Sequence, residues 1–418
     1  MTEKDPSKKL STESYKGVRD FYPTDLFVQH FMFDTWRKAV QSFGYEEYDA
    51  SVLENTEIYK AKSGDEIVNA QSYTFTDRGD REVTLRPEMT PTLARMVAAR
   101  KRELGFPLRL FSIPNCFRYE RPQRGRLREF WQLNVDLLTK KPSPRYDVEI
   151  LQVVSTIMKA FQAKDSDYEI RVNSRAFINA LYTDYYELNT EQALAFQKLT
   201  DKKNKISAEE FAAEYVKISD KKLLDVNDSS DLTFMKNMPG VKEPLDAILD
   251  TVALAKKEGI ANIIFDTDIV RGLDYYTGLV FEVKDTDPQN NRALFGGGRY
   301  DNLVDIFEGA ADESSISGVG FGYGDVAMQN FLESRNLIPP YQAATEILVC
   351  VLDDNEATVV YADEVAAELR QTGKNVAVNY TSRKYPDNIK LAEKLGIKNI
   401  TVIGENEVTE KKFEVKQL

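Results

Sequence analysis

The chain holds a single histidine, His30, among 418 residues. That scarcity argues against Ser–His triads, histidine general-base chemistry and His-rich metal centres; His30 reads as a structural residue. Cysteine is nearly as rare. Cys116 and Cys350 stand far apart with no metal-type spacing, which argues against a disulfide frame or a zinc site and for a reducing cytoplasm. No apolar run approaches the roughly 18 residues that span a bilayer. The opening MTEKDPSKKLSTES is polar and lacks a signal-peptide core, so residues 1–14 read as a disordered tail. The net charge of −12 argues against indiscriminate nucleic-acid binding but leaves room for a local basic patch. Chemistry must then rest on Arg, carboxylates, Tyr and Mg²⁺. That set suits phosphoryl or nucleotidyl transfer, where positioning and charge neutralisation do most of the catalysis.

What is present is a soluble globular composition, 42% hydrophobic and 29% charged, over a length that asks for two or three domains. The most informative stretch is Asn115–Leu138, NCFRYERPQRGRLREFWQLNVDLL. It reads as strand, basic loop, strand. In the second strand Phe130, Gln132, Asn134 and Asp136 alternate with Trp131, Leu133, Val135 and Leu137, the pattern of a half-buried strand. In the first, Asn115–Glu120, Arg118 and Glu120 share a face. The loop 121–129 is too long for a tight hairpin and carries four arginines and no lysine. Arginine is preferred where a planar, bidentate grip on phosphate or carboxylate matters. The residues thus point to a polyphosphate or nucleic-acid site beside a small polar pocket.

Elsewhere the pattern gives organisation. A helix is expected from a Thr24 cap, with Phe27, Val28, Phe31, Met32, Trp36, Val40 and Phe43 as its apolar stripe. Strands are expected at Tyr73–Thr76 and Arg81–Leu85. A helix capped by Thr90, with Pro91 at its first position, follows them. Residues near 180–250 have helical periodicity and no strand signal, with a polar linker near Asp225–Asp231. In FGGGRYDNLV, Phe295–Val304, no GK[ST] follows the glycines, so this is no Walker loop; a tight turn with positive φ explains them. Gly318, Gly320, Gly322 and Gly324 alternate with Val319, Phe321 and Tyr323. The bare face of that strand implies close approach by adenine or by a neighbouring strand. After Pro339–Pro340, alternating strands and helices imply a parallel α/β unit.

FRYERPQRGRLREFWQ resembles motif 2 of class II aminoacyl-tRNA synthetases, in the form found in histidyl-tRNA synthetases. The stretch before Phe43 resembles motif 1, LRPEMT at Leu85–Thr90 resembles the family's LRPE-x-T, and GGGRYD recurs in it. RGLDYYTG at Arg271–Gly278 closely resembles a signature confined to histidyl-tRNA synthetases and their paralogues. The resemblance implies an α+β class II catalytic core, an antiparallel sheet flanked by helices, over residues 15–335. It implies a helical insertion near 180–250 and a C-terminal α/β anticodon-binding domain over 343–418.

The activity implied is activation of L-histidine with ATP, followed by transfer to the 3′ end of tRNA(His). The resemblance assigns Arg118 and Arg271 to catalysis. Histidine would be bound by Glu88, Met89, Thr90, Gln132, Asp136, Arg271, Tyr275, Tyr276 and Tyr300. ATP would be bound by Arg118, Glu120, Arg126, Gly322 and Gly324, with Mg²⁺ carried on it beside Glu120. Arg121, Gln123 and Arg124 are placed to grip the tRNA acceptor stem. A homodimer through the motif 1 helix, no membrane, no zinc and a cytoplasmic location complete the expectation. Two departures stand out. Ala327 occupies the place where most relatives carry the motif 3 arginine, and the C-terminal domain reads as shortened. The competing expectation is a catalytically silent, synthetase-like regulatory subunit of histidine biosynthesis.

Overall fold

A computed structural model describes residues 11–60, 71–200, 202–203, 206–270, 275–288, 290, 293–307, 315–381 and 384–418. It divides into two units, Met1–Phe21 with Gln29–Leu337, and Tyr22–Val28 with Ile338–Leu418. Of the expected tail, residues 1–10 lie outside the described residues, as does Arg271.

Alternation along 130–138 produces the strand around which the first unit is built. Its sheet runs β1 (Glu46–Glu47), β5 (Leu108–Ser112), β7 (Glu129–Thr139), β12 (Ser317–Gly324), β11 (Ala293–Tyr300), β10 (Leu279–Asp285), β8 (Tyr168–Ser174) and β9 (Ile263–Phe265). A further strand, β6 (Asn115–Phe117), pairs with β7. Among the described residues of this sheet only β1–β5 and β8–β9 are parallel pairs. A small sheet of β2 (Leu53–Asn55), β4 (Glu82–Leu85) and β3 (Tyr73–Thr76) lies apart in the pairing pattern. The Pro144–Ala160 helix buries Val148, Ile150, Leu151, Val153, Val154, Ile157 and Met158, and packs on β12. Ser143 caps it, its side chain accepting from the Arg145 N–H.

Several local expectations are corrected. β7 is not half-buried: both of its faces are buried from Leu133 to Thr139, including Asn134 and Asp136, because β5 and β12 flank it and the polar face floors a cleft. The first hairpin strand ends at Phe117, where Arg118 N turns to the carbonyl of Arg128. The glycines 296–298 form no positive-φ turn but lie within β11. The first helix starts at Pro23, with no Thr24 cap; Asp25 in its first turn instead accepts from the Tyr22 N–H. Its buried stripe keeps the expected Met32, Trp36 and Val40 and adds Phe33 and Ala39, leaving Phe27, Val28, Phe31 and Phe43 only partly covered. His30 is exposed. Met89, not Thr90, occupies the cap position of the Thr90–Arg100 helix and makes no side-chain cap bond.

Among the described residues between β8 and β9 the chain is helical, from Arg175–Ala180 to Lys242–Lys257. The expected linker near 225–231 is in part a helix start: the Asp228 side chain accepts from the N–H groups of Ser230 and Asp231 and caps Ser229–Lys236. The module is tied to the chain entering RGLDYYTG. Gln197 Nε2 donates to the Val270 carbonyl at 2.8 Å, and Arg175 Nη1 donates to the same oxygen at 3.2 Å.

In the second unit, β13 (Ile347–Val351) pairs in parallel with β14 (Val376–Asn379) and β15 (Asn399–Ile403), and β16 (Lys416–Gln417) adds an antiparallel edge. β13 is buried on both faces, as a parallel strand covered by helices on each side should be. Val349 and Val351 pack with Tyr361 and Val365 of Glu356–Gln371. Leu348 and Cys350 pack with Ala392 of Tyr385–Leu395. A short helix, Glu405–Glu410, follows β15.

Candidate active site

Antiparallel register lines up the polar face of β7 with the glycines of two neighbouring strands. One row across the sheet reads Asn134, Gly322, Gly296, Glu282; the next reads Asp136, Gly320, Gly298, Val280. Residues directly opposite in a ladder share a face. Each row therefore has side chains at its ends and two bare positions between. At about 4.8 Å per strand the trough is roughly 14 Å across. The cleft above it measures about 470 Å³.

Pocket side chains, most of them from neighbouring strands, lean over this floor and come close to its bare face. A Cβ on Gly322 would lie 2.7 Å from the Gln132 amide nitrogen. One on Gly320 would lie 2.5 Å from Asp136 Oδ1. One on Gly318 would lie 2.2 Å from the Tyr300 ring, and one on Gly298 would meet the Tyr276 ring at 2.8 Å. Gly318, Gly320 and Gly322 are needed to let Tyr300, Asp136 and Gln132 lie flat.

At one end of the cleft, Asp136 is buried and accepts from the Tyr300 hydroxyl at 2.6 Å. Its Oδ2 has no hydrogen-bond partner among the described residues. Burial pushes the Asp136 carboxyl up to about 7; the Tyr300 bond opposes that rise and the nearby Glu88 charge adds to it. Glu88, buried at the junction between β4 and the Thr90–Arg100 helix, accepts from the Tyr275 hydroxyl at 3.1 Å. Tyr275, Tyr276 and Tyr300 are all held protonated, chiefly by burial. They serve as hydrogen-bonding walls.

At the other end stands Arg118. Its Nε donates to the Pro87 carbonyl at 3.0 Å and its guanidinium lies 5.2 Å from the Phe130 ring centroid. Glu120 and Arg126 form an ion pair of 3.1 Å on the same wall. The helix that follows β12, Asp325–Ser334, brings Val326 and Ala327 to the cleft. Its first residue, Asp325, is buried, binds Arg19 Nη2 at 2.6 Å and accepts from the Trp131 N–H at 3.0 Å. Burial raises the Asp325 carboxyl, and the Arg19 charge holds it down in part.

The cleft thus gathers Glu88, Thr90, Arg118, Glu120, Arg126, Gln132, Asp136, Tyr275, Tyr276, Tyr300, Gly322 and Gly324. Met89 is not brought in: it is wholly buried, beside Arg86, and does not line the cleft. The structure places Arg121, Gln123 and Arg124 on the exposed side of their loop, outside the cleft. Arg271 lies outside the described residues. Glu282 was missed by sequence reasoning, though a lone carboxylate in the apolar run Leu279–Val283 was the signal. Asn134 was seen on the polar face but given no role.

Comparison with known proteins bears on this arrangement. A family model described as Histidyl-tRNA synthetase matches residues 17–323, and one described as Anticodon binding domain matches residues 346–418. The histidine–tRNA ligase of Leptospira biflexa is 42% identical over 408 residues, spanning 96% of this chain and 92% of its own length. That of Thermoplasma volcanium is 33% identical over 422 residues, spanning 98% and 95%. The crystal structure of a Nostoc histidyl-tRNA synthetase superposes with a TM-score of 0.78 over 98% of this chain and 95% of that one. At 22% identity that likeness speaks for the fold. With the family model covering most of the chain, including every strand of the glycine-floored cleft as far as Tyr323, the chain belongs to the histidyl-tRNA synthetase family.

Proposed function

We propose that the cleft holds histidine at its Asp136 end and ATP at its Arg118 end, and so performs the first step of histidine–tRNA ligation. The chain is a histidine–tRNA ligase, an aminoacyl-tRNA ligase that uses ATP. The observation that carries the residue assignment is the convergence of Glu88, Gln132 and Asp136 with Arg118 on one glycine-floored trough.

In this reading Glu88 and Gln132 take the α-amino group, with Thr90 beside them. Asp136, Tyr276 and Tyr300 take the imidazole ring. The substrate carboxylate is already a nucleophile, so its attack on the α-phosphorus needs no protein base. Negative charge grows on the α-phosphate as pyrophosphate leaves. Arg118 neutralises it from the motif 2 side, fixed from behind by Pro87, and Arg271 is assigned the same task by resemblance. Arg126 holds the outer phosphates. Among the described residues no three His, Cys, Asp or Glu side chains cluster to hold a metal ion. Glu120 and Glu282 nonetheless line the cleft and fit a Mg²⁺ carried mainly by phosphates, which needs only one or two carboxylates. When bound, that ion neutralises phosphate charge. A site built to hydrogen-bond a buried ring rejects analogues lacking those groups by about 10⁴–10⁵.

For the second step, Arg121, Gln123 and Arg124 meet the acceptor stem, supported by their exposure. Residues 15–335 act as the catalytic domain and 343–418 as the anticodon-binding domain. A homodimer through the Pro23–Gln41 helix is supported by its partly covered Phe31 and by Phe43 just beyond its end. Among the described residues no helix is long and apolar enough to cross a membrane. A cytoplasmic location is supported by two free, buried cysteines.

The test is amino-acid-dependent exchange of labelled pyrophosphate into ATP, run with and without tRNA. Exchange with histidine alone is expected. Arg118→Ala should lower it about 10²–10³-fold, the usual cost of losing one charge-stabilising group, and Arg271→Ala should abolish it. Histidine binding by calorimetry with no exchange under either condition would overturn the assignment in favour of a silent regulatory subunit.

A further inference from the structure

Arg299 and Asp301 of GGGRYD flank Tyr300, yet neither lines the cleft. Arg299 is buried and donates to Asp147 Oδ1 from Nε at 3.0 Å and from Nη2 at 2.7 Å. It also donates to the Ser317 hydroxyl. Ser317 in turn donates to Asp301 Oδ1 at 2.5 Å. The other carboxylate oxygen of Asp301 accepts from Thr277 Oγ1 at 2.6 Å, and the Asp301 N–H donates back to that hydroxyl at 3.2 Å. Thr277 N donates to the Arg299 carbonyl at 2.8 Å. This chain of bonds joins the segment carrying Tyr275 and Tyr276 to the strand end carrying Tyr300. None of its side chains touches the cleft.

We infer that the reciprocal Thr277–Asp301 pair, backed by Ser317, Arg299 and Asp147, is a positioning latch that sets histidine affinity by fixing Tyr276 and Tyr300 relative to Asp136. The inference rests on the assignment of histidine to the Asp136 end of the cleft. Its physical basis is geometric. Tyr276 is one residue from Thr277, and Tyr300 is one residue from Asp301. The two rings lie over neighbouring parts of the glycine floor, on Gly298 and Gly318. If the pair parts, the two segments keep their backbone bond and the edge-on packing of the Tyr275 and Tyr300 rings at 5.8 Å, but no side-chain hydrogen bond fixes their spacing, and the Tyr300 hydroxyl loses its fixed distance to Asp136. Thr277 and Asp301 are positioning residues, because they act through the tyrosines. The ATP end is walled by Arg118, Glu120 and Arg126, none of which bonds to the latch.

The test compares Thr277→Val, which keeps shape and loses the hydroxyl, with Thr277→Ser, which restores it. KM for histidine and KM for ATP are measured separately by pyrophosphate exchange, with Asp136→Asn as a reference. Thr277→Val should raise KM for histidine about tenfold, the scale of one lost hydrogen bond to a charged group. KM for ATP should stay within about twofold, and Thr277→Ser should return KM for histidine to within about twofold of the parent. Asp301→Asn carries the same expectation should the valine variant fail to fold. An unchanged KM for histidine in Thr277→Val overturns the latch, provided Asp136→Asn raises it. Equal loss toward both substrates without rescue by serine also overturns it, marking a merely structural role. If Asp136→Asn leaves KM for histidine unchanged, the histidine assignment has failed and the latch falls with it.

Discussion

Burial lifts the Asp136 carboxyl to about 7, so histidine capture should titrate near neutrality. If the imidazole N–H is received by the ionised carboxylate, only the deprotonated free enzyme is competent. With a value of about 7, roughly nine-tenths of the sites are ionised at pH 8 and roughly one-tenth at pH 6. The ratio kcat/KM for histidine reports ionisation of the free enzyme and free substrate. It should therefore fall about tenfold between pH 8 and pH 6 from Asp136 alone. Free imidazole, with its ordinary value near 6.5, adds a second and shallower limb if the neutral ring is the form bound. The two limbs separate in Asp136→Asn. That variant should lose about 10–100-fold in kcat/KM at pH 8, the worth of a charge-assisted bond, and should keep only the imidazole limb. Steady-state exchange at saturating ATP across pH 5.5–8.5 supplies both profiles. A parent profile flat from pH 6 to pH 8, or the same slope in parent and variant, would refute the reasoning.

Two further outcomes concern stability. Gly297 faces the opposite side of β11 from the trough, and a Cβ there would lie 2.1 Å from the Gly320 carbonyl oxygen and 2.6 Å from Phe321 Cβ. Gly297→Ala should cost about 1–3 kcal/mol by overpacking, read as a lower urea midpoint, and an unchanged midpoint would contradict the packing described. Arg19→Ala leaves the buried Asp325 carboxylate without its cation and should cost about 2 kcal/mol. Histidine binding by calorimetry should survive, since Arg19 does not line the cleft.

The strand carrying Gln132 and Asp136 was legible because a period of two is local: it needs no knowledge of what lies beside it. The arginine loop was legible for the same reason, since Arg118 and Arg126 fall within one short stretch. What surrounds a segment was harder to read. Glycines 296–298 read as a turn because nothing within FGGGRYD reveals that β12, about twenty residues later, pairs with them. Burial of Asn134 and Asp136 depends on that same distant pairing. Met89 sat inside a recognised motif, but one residue along a helix start turns a side chain from cleft to core. The first helix was placed correctly, and Met32, Trp36 and Val40 of its stripe with it; its edge was misjudged, because Phe31 and Phe33 are equally apolar and only packing chooses between them. The motif 3 departure at Ala327 was visible in the sequence. Its local consequence was not: the helix begins on Asp325, a carboxylate already satisfied by Arg19 and by the Trp131 N–H.

Seen as a constraint on inheritance, the glycine floor has an unusual property. Gly296, Gly297, Gly298, Gly318, Gly320 and Gly322 each exclude even a methyl group, because a backbone oxygen or a pocket side chain occupies its place. These positions should tolerate almost no substitution in a saturation-mutagenesis survey, and for two different reasons. Change at Gly318 or Gly322 displaces the Tyr300 or Gln132 side chain and so costs activity in a folded protein. Change at Gly296, Gly297, Gly298 or Gly320 meets a backbone oxygen of a paired strand within 2.6 Å and so costs stability first. A survey that scores abundance and activity separately would sort the six into those two groups, marking where pocket side chains rest on the floor without any ligand present.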